Sequence, residues 1–170
     1  VWVMVIYAHG NGIDIGEIHG RIRYISERLK INVLLFDYPG YGKHEGRSDE
    51  AIVDQCMIVL LNFVTVELSW PIENIVLWGC SIGTGPSTRL AKSLNETKRR
   101  LGGLILQCPY KSIKHAAESL AGKLCRFLTT QRWNIQLEIL DCSCPVLWIH
   151  GKKDSLFSWT GSLEMYNSTK

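Results

Sequence analysis

One stretch limits this chain more than any other: Ile75-Val76-Leu77-Trp78-Gly79-Cys80-Ser81-Ile82-Gly83. An apolar run of strand character ends in G-x-S-x-G and passes directly into Thr84-Gly85-Pro86-Ser87-Thr88-Arg89-Leu90-Ala91, which has helical character. A strand that turns into a helix over so few residues has no room for side chains inside the bend. Glycine at 79 and 83 removes the Cβ atoms that would meet the neighbouring strand and helix. This is the pattern of a nucleophile elbow, which holds one serine clear of the backbone. Ser81 is the candidate nucleophile. The bland alternative is a small residue in a tight turn, but two glycines, a strand before and a helix after favour the nucleophile.

Around this stretch, strand and helix signals alternate from end to end with no linker or repeat. Apolar runs at Trp2–Ala8, Val33–Phe36, Gly103–Gln107 and Val146–Ile149 read as four further strands. Ile15, Ile18, Ile22, Ile25 and Leu29 are spaced three and four apart and predict one buried helical stripe. Ser48-Asp49-Glu50 predicts a helix start, with Ser48 as the capping hydroxyl and Ile52, Cys56, Val59, Leu60 and Phe63 as the buried face. Residues 112–140 are less regular and predict one or two short helices, and a last helix is expected over 159–167. Near-continuous apolar strands separated by helices imply an α/β protein: a doubly wound, mostly parallel sheet with helices on both faces. The expected strand order is 2-1-3-4-5, with its switch point between strands one and three. The turns leaving those strands are His9-Gly10-Asn11-Gly12 and the elbow, so the two most glycine-rich turns flank the crevice where such sheets bind ligands.

A serine hydroxyl attacks well only when a base takes its proton and fixed donors receive the oxyanion. In an elbow, one donor is the backbone N–H after the nucleophile, here Ile82, at a helix N-terminus where free N–H groups favour negative charge. Asn11 (or Gly12), in the loop after the strand expected beside the elbow strand, is the second candidate donor. Asp154 leaves the fifth strand on the same sheet edge and is the candidate orienting acid.

On these residues the chain resembles the α/β-hydrolase superfamily. It is most similar to the subgroup of small hydrolase-domain proteins that includes the protein depalmitoylases. The matching residues are His9-Gly10-Asn11-Gly12, Asp37-Tyr38-Pro39-Gly40-Tyr41-Gly42, Gly46, Gly79 through Pro86, and Pro145 through His150-Gly151-x-x-Asp154. The resemblance implies a serine hydrolase acting on an acyl ester or thioester, with Ser81 and Asp154 catalytic and Asn11 and Ile82 forming the oxyanion hole. Protein depalmitoylation is the first substrate reading, and serine aminopeptidase-like or general esterase activity the next. The family's catalytic histidine lies beyond the acid, after a further helix and strand. Few residues follow Asp154, and no histidine follows His150. Residues 1–170 are thus expected to form one hydrolase domain, incomplete at both ends. The alternative from a different class is a catalytically silent binding protein on the same fold.

A net charge of +3 is too small to argue for a nucleic-acid partner. The six cysteines show no C-x-x-C spacing and read as reduced thiols, not a disulfide framework or a zinc site. Neither cofactor nor metal is expected. The partner expected is the acyl substrate, including a lipidated protein. No apolar run is long enough to span a bilayer. A cytoplasmic location is expected, with any membrane contact made peripherally through a segment upstream of Val1. A dinucleotide-binding reading of Gly79-x-x-x-Gly83-x-Gly85 fails, because that loop belongs on the first strand of its fold and the next strand should end in an acid. Here the next strand ends Leu106-Gln107-Cys108-Pro109. His9 and His150 read as structural, Asp37 as a turn cap, and Tyr38, Tyr41 and Trp159 as core before acyl pocket.

Overall fold

Alternating side chains of one strand feed two different cores, and that single fact sets the layers of the fold. In β1 (Met4–Ala8) every residue is buried. Met4, Ile6 and Ala8 join the larger cluster, while Tyr7 joins Ile18 and Ile22 of α1 (Ile15–Leu29) on the opposite face. A strand buried on both faces belongs inside a parallel sheet. The computed structural model describes residues 2–121, 130 and 132–170. Within these, β2 (Asn32–Leu35), α2 (Glu50–Asn62), β3 (Ile75–Cys80), α3 (Thr84–Glu96), β4 (Gly103–Gln107), α4 (Ile113–Ala121), α5 (Ile135–Glu138), β5 (Val146–Ile149) and α6 (Trp159–Ser168) follow in turn.

The sheet has five strands in the order β2-β1-β3-β4-β5, as expected, and every neighbouring pair is parallel. Ala8 stands opposite Gly79 and Cys80 opposite Gln107. The turns after β1, β3, β4 and β5 therefore emerge along one edge. The first strand is shorter than its apolar run: Trp2 is 77% exposed and its ring lies tilted against that of Trp70, outside the strand. Cys125 and the middle of the irregular 112–140 stretch lie outside the described residues; the other five cysteines are free thiols.

Two local expectations fail on α2. Its cap is Asp49, whose carboxylate accepts from the Ile52 amide at 2.9 Å, whereas the Ser48 hydroxyl donates to the Pro39 carbonyl at 2.6 Å. Its buried residues are Val53, Met57 and Leu61, continued by Val64, while Ile52, Val59 and Phe63 are exposed. The helix is apolar nearly all round, so periodicity alone does not choose a face. Charge does. Glu50 and Asp54 border the Val53 stripe, and Arg89 of α3 donates to both, at 3.0 and 3.3 Å. The stripe predicted on α1 also narrows, with Ile18 and Ile22 buried but Leu29 exposed.

Arg89 also donates to Glu138 of α5 at 2.6 Å, and the Trp133 indole N–H donates to Asp54 at 2.8 Å. The Trp133 amide closes onto Glu50 at 3.0 Å. One guanidinium therefore ties α2, α3 and α5 together. Burial, offset in part by Trp133 and Arg89, pushes the Asp54 carboxyl up to about 6. Because this lies above its unfolded value, the native state holds the proton more tightly. The resulting stabilisation is complete below the ordinary Asp range and is lost as pH rises through about 6. Urea unfolding should show the protein losing about 1–1.5 kcal/mol more stability between about pH 5 and pH 7.5 than the Asp54→Asn variant does. Parallel pH profiles for the two proteins would refute this.

Candidate active site

The turn after β3 is as tight as its glycines require. A Cβ on Gly79 would stand 2.5 Å from the Gly83 carbonyl oxygen and 2.6 Å from the Thr84 Cα. One on Gly83 would stand 2.7 Å from the Ala8 carbonyl carbon in the buried strand β1. Between them Ser81 has φ 51°, the left-handed region that L-residues with side chains rarely occupy. The Thr84 hydroxyl donates to the Ser81 carbonyl at 2.5 Å, satisfying a group that the bend turns away from the sheet. Ser81–Gly83 form a 3-10 turn that runs into α3. The Ile82 amide thus lies at a helix N-terminus, pointing its donor where an anion is favoured.

Ser81, Ile82 and Asn11 share the wall of one cavity of about 360 Å³, completed by Tyr110, Ala116 and Phe157 among others. Gly10 brings the β1 turn against the elbow, since its absent Cβ would lie 3.7 Å from that of Ser81. The Asn11 carboxamide oxygen accepts from the Tyr41 hydroxyl. That bond fixes the amide and turns its N–H₂ end to other partners, an orientation that spacing along the chain does not encode. Tyr38 and Tyr41 line an adjoining cavity of about 280 Å³, which also touches Ile82. Tyr38 is only 3% exposed and its hydroxyl donates to the His9 carbonyl at 2.8 Å, so it is both core and wall. Trp159 lines a different cavity, with His150 and Tyr166.

Asp154 follows β5 at the same sheet edge. One carboxylate oxygen accepts from the amides of Leu156, at 2.8 Å, and Phe157, at 3.0 Å. Burial raises its pKa, but the amides of Phe157 and Leu156, with the Cys108 thiol and His150, hold the carboxyl below the usual range. It is therefore ionised near neutrality. Leu156 and Phe157 both line the Ser81 cavity, so the acid and the pocket wall are one hydrogen-bonded unit. Cys108 was missed as a neighbour of Asp154. The signal available was its place at the end of the strand between those carrying the elbow and the acid.

None of the histidines hydrogen-bonds the Ser81 hydroxyl among the described residues. His9 is fully buried and its Nδ1 bonds the Gly10 carbonyl at 2.8 Å. His44 bonds the Asp37 carbonyl, also at 2.8 Å. His150 is held by Ser162 and the Phe157 carbonyl. Asp37, expected to cap its own turn, instead accepts from the Ile15 amide at 2.9 Å at the start of α1, whose own cap is Asp14.

A five-stranded parallel sheet with a strand–serine–helix elbow at its switch point defines an α/β-hydrolase fold. Solved structures share it: an alpha-beta hydrolase from Vibrio vulnificus superposes with a TM-score of 0.86 at 19% identity, over 97% of this chain and 61% of that one. The Pyrococcus furiosus esterase Pf2001 gives 0.74 at 17% identity, over 99% of this chain and 67% of that one. No protein-family model matches the chain. In sequence it is 28% identical over 167 residues to the alpha/beta hydrolase domain-containing protein aho-3 of Caenorhabditis elegans, covering 95% of this chain and 46% of that protein. It is 27% identical over 162 residues to human alpha/beta hydrolase domain-containing protein 17C, covering 95% and 47%. The chain thus has the α/β-hydrolase fold, is similar in sequence to alpha/beta hydrolase domain-containing proteins, and spans about half the length of these curated relatives. Among the described residues no helix is long and apolar enough to cross a membrane.

Proposed function

We propose that this chain is the core of a serine hydrolase that cleaves an acyl ester or thioester, with depalmitoylation of a lipidated protein as its first substrate class. One observation carries the reading: Ser81 is held at φ 51° on the wall of a cavity shared with Ile82 and Asn11. A strained serine offered to a pocket is the geometry of attack. Ser81 Oγ adds to the acyl carbonyl. The Ile82 N–H and Asn11 receive the oxyanion, and Asp154 orients the imidazole that takes the serine proton. That imidazole is assigned to a histidine in sequence beyond these residues. The apolar wall of Ile113, Ala116, Ala117, Leu156 and Phe157 suits an acyl chain.

A fluorophosphonate probe should label the full-length protein once, and peptide mapping should place the adduct on Ser81. The 170-residue chain alone should turn over a p-nitrophenyl ester barely above background. An adduct on any other residue would sink the nucleophile assignment, and brisk turnover by the chain alone would sink the assignment of the base. A full-length protein that never labels favours the silent binding protein on the same fold.

A further inference from the structure

We propose that Cys108, His150 and Asp154 form a binding site for a divalent cation of the zinc class, and that its occupancy shuts off chemistry at Ser81. The Cys108 sulfur, a His150 ring nitrogen and an Asp154 carboxylate oxygen all lie within 4.8 Å of one another. His150 Nε2 and Asp154 Oδ2 are 3.5 Å apart. A tetrahedral zinc ion holds such ligands at about 2.0–2.3 Å, which sets ligand–ligand separations of about 3.2–3.8 Å. The three groups therefore need only a small closure to share one ion. A thiolate, an imidazole and a carboxylate together suit zinc, whereas magnesium and calcium take oxygen ligands. Three protein ligands leave a fourth position for water or another group.

Each ligand is already held from behind, as bound metals require. The Cys108 amide donates to the Ile149 carbonyl at 2.8 Å, and its φ of 50° turns the residue out of the strand direction. Ser162 Oγ lies 2.6 Å from His150 Nδ1. The amides of Leu156 and Phe157 occupy Asp154 Oδ1, which leaves Oδ2 to face the imidazole. The turn between the two ligands is closed by the Asp154 amide bonding the Gly151 carbonyl at 3.0 Å. His150 Nε2 faces two oxygens, the Phe157 carbonyl at 3.0 Å and Asp154 Oδ2. Either an N–H or a cation can satisfy that arrangement. On binding, the imidazole proton moves from Nε2 to Nδ1 and is donated to Ser162, and the thiol proton of Cys108 leaves to solvent as the sulfur–metal bond forms. One proton is released for each ion bound.

The regulatory half of this proposal rests on the serine-hydrolase reading. A cation on Asp154 takes the charge that should orient the imidazolium and pulls on the amides that form the pocket wall. The metal-binding half needs no turnover, so the two are separable. Cobalt(II) added anaerobically to the full-length protein should give one equivalent of near-ultraviolet thiolate-to-cobalt absorption that zinc displaces. Cys108→Ser should lose that absorption and Cys80→Ser should keep it. Independently of any variant, zinc should protect Cys108 of the unaltered protein from alkylation, read by peptide mass spectrometry. Zinc should also slow fluorophosphonate labelling of Ser81 by about tenfold or more, with recovery on chelation. No cobalt absorption, absorption that survives Cys108→Ser, or no alkylation protection would overturn the site. A normal cobalt spectrum with labelling indifferent to zinc would overturn the regulation alone. A normal spectrum in a protein that never labels would instead condemn the hydrolase reading and leave the metal site standing.

Discussion

Replacing Ser81 with glycine is expected to abolish fluorophosphonate labelling and, in the same variant, to raise the melting temperature. The two effects come from one backbone angle. Ser81 sits at φ 51°, where a side chain crowds the following carbonyl at a cost of about 1–2 kcal/mol. Glycine occupies that region freely and gives back about 0.5–1 kcal/mol through the larger entropy of its unfolded chain. The net gain is about 0.5–1 kcal/mol, or a shift of about 1–4 °C for a domain of this size. Calorimetry on the two proteins, alongside probe labelling, measures both halves at once. A glycine variant that melts lower would show that Ser81 is not strained, and the argument for an offered hydroxyl would fall with it. Alanine at the same position should lose labelling without the gain, since it keeps a Cβ.

Gly83→Ala should do the opposite and cost the protein much of its stability. The added methyl would meet the Ala8 carbonyl carbon at 2.7 Å and the His9 carbonyl oxygen at 2.8 Å. Ala8 is fully buried in a strand paired on both sides, so neither partner can retreat without breaking the sheet register. Overpacking against side chains costs about 1–3 kcal/mol, and backbone yields less readily, so about 3 kcal/mol or more is expected. The melting temperature should fall by about 6–12 °C, or the variant should become insoluble. Gly12→Ala is the control. Gly12 has φ 74° but nothing within 4 Å of the added atom, so it should carry only the local backbone cost. Equal melting temperatures for the two variants would mean that the elbow is looser than these contacts require.

The sheet order and the elbow were legible because each rests on local chemistry: apolar runs, turn residues and a glycine on either side of Ser81. The position of Asp154 was legible for the same reason, as an acid leaving a strand on a predictable edge. What escaped depends on distant partners. The buried face of α2 is chosen by Arg89, 35 residues from Asp54 in sequence, and no periodicity within the helix encodes that choice. The bond from Tyr41 to Asn11 and the proximity of Cys108 to Asp154 arise between loops and between strands, where spacing along the chain carries no information. The cap falls on Asp49 and not on Ser48, an equally good capper by residue type, because the Ser48 side chain is turned to donate to the Pro39 carbonyl while Asp49 accepts from the Ile52 amide.

The carboxylate of Asp154 grips the amides of Leu156 and Phe157, and those two residues line the cavity that Ser81 also lines. On the proposed serine-hydrolase reading, reactivity and fit therefore share a fastening on that side. A change in the acid reshapes the chamber, and a remodelled chamber disturbs the acid. Ile113, Ala116 and Ala117 of α4 line the same cavity, and the Ile113 amide donates to the Arg132 carbonyl at 3.2 Å and not to Asp154. On the proposed hydrolase reading, substitutions at Ala116 and Ala117 should reshape the chamber without loosening Asp154, so acyl preference should respond to α4 more readily than to the Asp154 side.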